Sequence, residues 1–143
     1  MKNINTISLK NICYTMAVIT MLFCFNSCSQ KVVSFQISQV VPAAKGTVKV
    51  KKDNNKNYTI KISLSDLAGP DRLQPPKNTY IVWMETENKS TKNIGQINSS
   101  PRSLSASLET VSSFKPQKIF ITAEDDAGVQ YPAGQVILST DDF

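Results

Sequence analysis

The chain has 143 residues, 41% hydrophobic and 19% charged, with 16 Lys and Arg against 11 Asp and Glu and a net charge of +5. It contains no histidine and only three cysteines. These counts exclude His-based catalytic triads, leave few of the imidazole and thiolate ligands that zinc and copper sites use, and make a nucleic-acid binder a poor fit.

The first segment, MKNINTISLKNICYTMAVITMLFCFNSCSQK, has the layout of an export signal. Lys2 and Lys10 form a positive start, and an uncharged apolar stretch of 13 residues follows, Cys13 to Phe25. A membrane-spanning helix needs about 20 such residues, so this stretch suits a signal better. FNSC at 25–28 resembles a bacterial lipobox, in which the cysteine after the cut is acylated. Ser27 fits the small-residue requirement, whereas Phe25 and Asn26 depart from the usual pattern. The expected organisation is a lipoprotein signal peptide over 1–27, a lipidated Cys28 with a short tether over 28–32, and a single domain over 33–143. A plain cleaved signal and an uncleaved anchor are the alternatives. Removal of 1–27 takes Cys13 and Cys24 with it and lowers the net charge to +3. One cysteine then remains, so no disulfide framework supports the fold.

Alternation of apolar and polar residues predicts strands in chain order. Val33, Phe35 and Ile37 mark the first. VVPAAKG is a turn region, and GTVKVKK and NYTIKISL then form a hairpin around DNNKN. Matching of apolar faces requires Val50 to oppose Tyr58 or Ile60. Residues 66–78 carry three prolines and a glycine and read as a long loop. TYIVWMET (79–86) is a strand apolar on both faces, with Tyr80, Val82 and Met84 directed to the core. IGQI is a short strand, LSASLETV a strand or short helix, and KIFITAE (118–124) a strand with Ile119, Ile121 and Ala123 inward. QVILST is the last strand, with Val136 and Leu138 expected inside and Ile137 outside. Seven or eight short strands without an amphipathic helix predict an all-β, antiparallel β-sandwich (immunoglobulin-like), with a closed barrel as the alternative.

If these strands are neighbours, Ile81, Trp83, Phe120 and Ile137 make an apolar patch on the outer face of the sheet, the expected partner-binding surface. The competing expectation is that a loop, 66–78 or 98–117, folds across it. Lys49, Lys51 and Lys61, with Lys52 and Lys56 near the hairpin tip, suit either ordinary solvation or contact with anionic headgroups or an anionic envelope polymer. Glu124, Asp125, Asp126, Asp141 and Asp142 form acidic runs, but a calcium site needs converging loops. Glu85, Glu87 and Glu124 carry no spacing that points to a glycosidase pair. No catalytic set, metal site or cofactor is therefore expected.

Taken together, Tyr80 and Trp83 in one strand, Gly95 opening the next, Thr122 and Glu124 ending a later one, and Pro132 before a final apolar strand resemble the extracytoplasmic C-terminal domain of anti-sigma-K factors. The resemblance spans 46–140 and is strongest at 79–97 and 118–138. Such factors carry a sigma-binding region and a transmembrane helix before this domain, and here a lipoprotein-type signal stands instead. The resemblance therefore implies a sandwich-like envelope domain that binds or senses something outside the cytoplasm, and not sigma inhibition itself. The expected function is that of a non-enzymatic, membrane-anchored lipoprotein on the extracytoplasmic side of the cell envelope. Its partners would be the membrane, through the N-terminal lipid, and an envelope protein. The alternative is the outer part of a transmembrane anti-sigma-type signalling system with an uncleaved N-terminal anchor.

Overall fold

A computed structural model describes residues 30–97 and 104–143. The signal, Cys28 and the NSSPRS loop lie outside the described residues. Eight strands follow in order: β1 (Gln30–Ser34), β2 (Lys45–Lys52), β3 (Tyr58–Ser65), β4 (Thr79–Thr86), β5 (Thr91–Ile97), β6 (Ala106–Ser112), β7 (Pro116–Glu124) and β8 (Gln135–Ser139). They make two antiparallel four-stranded sheets, β1-β2-β3-β6 and β5-β4-β7-β8. The chain crosses between sheets after β3, β5 and β6, an immunoglobulin-like Greek-key order with an extra strand, β1, at the start. The sheets do not close into a barrel.

The hairpin takes the register its pattern demands, with Val50 opposite Ile60 and Val48 opposite Ile62. Asp53 builds the turn: its carboxylate accepts from the Asn57 amide at 2.8 Å, and its carbonyl accepts from Lys56. Lys49 and Lys61 lie directly opposite each other. Glu109 on β6 meets Lys61 in register and pairs with it at 2.9 Å, relieving the like-charge contact. Within 104–111 the strand alternative holds from Ala106 onward, where β6 pairs with β3 along the sheet edge.

The core lies between the sheets. Val48, Val50, Ile60 and Ile62 face Tyr80, Val82, Met84, Ile119 and Ile121. Loop 66–78 closes one end, inserting Leu67 and Leu73 into the same core. Tyr80 holds that loop by donating its hydroxyl hydrogen to the Ala68 carbonyl at 2.9 Å. A bulge on β5 lets Val82 pair with Gly95 while Trp83 pairs with Asn93. Gly95 sits there at φ 147°, and a Cβ would come within 3.1 Å of Leu108 on the facing sheet. The positive φ favours glycine here, and any side chain would also have to displace the tip of Leu108.

Two strand expectations need correction. The first strand begins at Gln30, three residues early, and the ladder ends at Ser34 with only a bridge from Phe35 to Thr140 beyond it. The Ser38 hydroxyl then accepts from the amides of Val40 and Val41, turning the chain and leaving Ile37 79% exposed. In β8 a register shift opposite Ile121 and Thr122 makes Ile137 the extra residue. Ile137 and Leu138 are therefore both buried, and Val136 is the one that faces solvent.

Burial, with a smaller contribution from Asp71, pushes the Tyr80 phenol up to about 12. Its folded value lies above the unfolded value of about 10. The stability gained by keeping it neutral is therefore complete below pH ~10 and lost as pH rises through the folded value. An ultraviolet titration is expected to show one phenol ionising near 12 that Tyr80→Phe lacks. The alkaline fall in urea stability should also be shallower in that variant.

Candidate functional site

The outer face of the second sheet is where the apolar patch was expected. The register brings Asn93, Trp83 and Phe120 side by side across β5, β4 and β7, with Gln96, Ile81 and Thr122 as the next row. The sequence-derived grouping is correct for Ile81, Trp83 and Phe120, whose rings stack with centroids 6.4 Å apart at 19° in the case of Trp83 and Phe120. Ile137 does not join them, because the β8 bulge turns it into the inter-sheet core.

The patch is not open. Ile81 and Trp83 are 0% exposed, and Phe120 is half-buried. Of the two loops expected to cover it, the 98–117 loop includes residues 98–103, which lie outside the described residues. Loop 66–78 closes the end of the sandwich, and residues 106–112 belong to the other sheet. The β7–β8 connection, 125–134, is held across this face on both sides of β4. On the β5 side, the Asn93 side-chain amide donates to the carbonyls of Ala127 and Val129 at 3.3 and 3.1 Å. On the β7 side, Glu124 Oε1 accepts from the amides of Ala133 and Gly134 at 3.1 and 3.0 Å.

That carboxylate is the end of a chain of bonds that starts at the tryptophan. Trp83 Nε1 donates to Thr122 Oγ1 at 2.8 Å, and Thr122 Oγ1 donates to Glu124 Oε1 at 2.6 Å. All three residues are buried. A buried carboxylate is expensive unless hydrogen-bonded, and here two backbone amides and a hydroxyl meet it. Gly134 completes the clamp, since any Cβ there would lie 1.8 Å from the Ala123 carbonyl oxygen. Holding ten loop residues costs on the order of 1 kcal/mol or more for each. Burying one indole offsets only a few kcal/mol of that, so the polar clamps decide whether the loop closes.

The residues singled out in the sequence therefore have structural tasks. Tyr80 pins loop 66–78, Gly95 forms the bulge, and Trp83, Thr122 and Glu124 latch loop 125–134, in which Pro132 lies exposed. Asp125 pairs with Lys77 at 2.7 Å, and Gly128 donates to Asp126 at 2.8 Å. Among the described residues, no three acidic or thiol side chains gather as a metal site would require. Glu85 pairs with Lys89 at 3.2 Å and Glu87 with Lys115.

An open cleft among the described residues lies elsewhere. At the end of the first sheet away from Gln30, the turn after β1 and the starts and ends of β2 and β3 enclose about 610 Å3. Its apolar surface comes from Phe35, Ile37, Pro42 and Leu64, and its rim from Ser34, Thr47, Ser63 and Ser65. Gly46 permits the close packing of Phe35 and Leu64 at its base. An apolar hollow with a few hydroxyls, of this volume, is of the kind that holds ligands or partner side chains. Strand periodicity predicted Ile37 to be internal and so concealed this cleft. No family model, curated protein or solved structure matches this chain.

Trp83 is the only tryptophan, so its emission reports the latch directly. The expected wild-type signal is blue-shifted and resistant to acrylamide. Glu124→Ala orphans two amides and a hydroxyl, and should cost about 2–4 kcal/mol while making Trp83 quenchable. Gly134→Ala should produce the same optical change with Glu124 intact. Quenching unaltered in both variants would mean that the loop does not depend on the clamp.

Proposed function

We propose that the chain is a non-enzymatic lipoprotein of the cell envelope, held to a membrane through Cys28, whose β domain is a binding or sensory accessory module. The observation that carries this reading is the polarity of the fold. The first described strand starts at Gln30, two residues from the lipobox-like cysteine, and the open cleft lies at the opposite end of that strand. A chain anchored at Cys28 would thus offer its cleft away from the membrane. The lack of histidine and the use of the buried Thr122 and Glu124 in a structural clamp support a role without catalysis.

The resemblance to anti-sigma-K extracytoplasmic domains supports a sensory use of the same module. It also leaves a second reading, the outer part of a transmembrane anti-sigma-type system with an uncleaved N-terminal anchor. Among the described residues, no helix is long and apolar enough to cross a membrane, so the two readings divide at the N-terminus.

The intact mass of chain purified from membranes distinguishes them. The expected mass is that of residues 28–143 plus acyl groups. A chain starting at Met1 would favour the anchored signalling reading, and a mature chain with an unmodified Cys28 would refute the lipoprotein. Partners co-purified through a C-terminal tag should be lost in Ile37→Asp, which alters the cleft while leaving Trp83 emission unchanged. Retention of every partner by that variant would remove the cleft from the proposal.

A further inference from the structure

The end of the sandwich opposite the cleft carries a second feature, which follows from how the strands are ordered. β1 starts there at Gln30, beside Lys51 on β2. The β2–β3 turn, the β6–β7 connection and the last residues of the chain end at the same level. Between the two sheets these segments enclose a hollow of about 220 Å3 lined by Lys31, Lys52, Lys115, Tyr58 and Phe143, with Val50 and Pro116. Lys31 Nζ lies 5.8 Å from the centre of the Phe143 ring, and Lys52 Nζ lies 5.5 Å from that of Tyr58.

Lys31 and Lys52 make no ion pair among the described residues, and neither do Lys51 and Lys56 beside them. Lys115 pairs with Glu87, but both groups are more than half exposed, so the pair is weak and exchangeable. Of the carboxylates at this end, Asp53 is occupied in the hairpin turn and Asp142 accepts from Gln117 at 3.3 Å. The cleft end is mixed in charge: the exposed carboxylates Asp66, Asp71 and Asp125 stand there with Lys45, Arg72 and Lys77. Lys31, Lys51, Lys52 and Lys56 thus stand together, without an ion pair among the described residues, on the side where the chain enters.

Resting on the lipid-anchor reading, the geometry points to one occupant for this end. Two residues from Cys28 to Gln30 span at most about 7 Å, so the basic end of an anchored domain must lie among the headgroups. We propose that the Lys31, Lys52 and Lys115 end binds the phosphates of anionic phospholipid, and so stands the domain upright on the membrane that holds it. The lysines meet phosphate oxygens, and Tyr58 and Phe143 supply the amphipathic and apolar surface that suits the interfacial layer.

The test uses the full chain reconstituted into vesicles of phosphatidylcholine alone, or of phosphatidylcholine mixed with phosphatidylglycerol. Hydrogen exchange of the segments 50–58 and 112–116 is expected to slow about fivefold or more in the mixed vesicles and to recover in high salt. β4 serves as the folding control and should not change. Lys31→Gln combined with Lys52→Gln should abolish the difference while β4 stays protected. Equal exchange in both vesicles, or slowing at 34–47 instead, overturns the proposal. Slowing of the same segments by glycerol phosphate without vesicles would assign the site to a soluble phosphate and overturn the lipid assignment. The mass of Cys28 is read separately. A modified Cys28 with no lipid dependence refutes this inference alone, and an unmodified Cys28 with lipid dependence refutes only the anchor.

Discussion

The fold depends on one buried carboxylate. Glu124 collects a hydroxyl and two backbone amides, and through Thr122 it reaches the indole nitrogen of Trp83. Without that chain the second sheet would show water a tryptophan and an isoleucine beside an already half-exposed phenylalanine. With it, loop 125–134 becomes a third layer on a two-layer sandwich. Immunoglobulin domains place a buried Trp on the corresponding strand within the inter-sheet core. Here Val82 and Met84 take the inter-sheet position, and the tryptophan packs outward beneath the loop. The double apolar character of β4 is explained by two cores sharing one strand, one between the sheets and one beneath the loop.

Much of this was legible in the residues. Strict alternation identified β2 and β3 and left Val50 to oppose Tyr58 or Ile60, of which the structure takes Ile60, because a slip of one residue would turn lysines into the core. The inward set of β7, Ile119, Ile121 and Ala123, followed from the same rule. The outward grouping of Ile81, Trp83 and Phe120 was also correct as a neighbourhood. What failed did so where a backbone irregularity broke the period. The β8 bulge moved Ile137 inside, and the Ser38 turn carried Ile37 out. Neither leaves a mark in an apolar–polar pattern.

The covering of the patch was concealed for a different reason. The sequence of 125–134 is polar and glycine-containing, like any exposed turn, and its role depends on backbone groups. Its anchors are carbonyls of Ala127 and Val129 and amides of Ala133 and Gly134, which have no signature by residue type. Trp83, Thr122 and Glu124 stand out in the sequence only by their order and spacing. Their union into one hydrogen-bonded chain emerges only when β4 and β7 are laid side by side. The basic end was likewise half visible: the hairpin lysines stood out, but Lys31 and Lys115 come from distant parts of the chain.

The route of β1 has a mechanical meaning. This edge strand begins at the side where the chain enters and leads directly to Phe35 and Ile37 in the open cleft. A pull applied at the cleft and resisted at the membrane would travel along β1 itself, a path of about 20 Å. The β1 backbone would carry that load, and the remaining strands would carry little of it. Such a domain could transmit tension between a membrane and a bound partner while its Trp83 latch stayed shut.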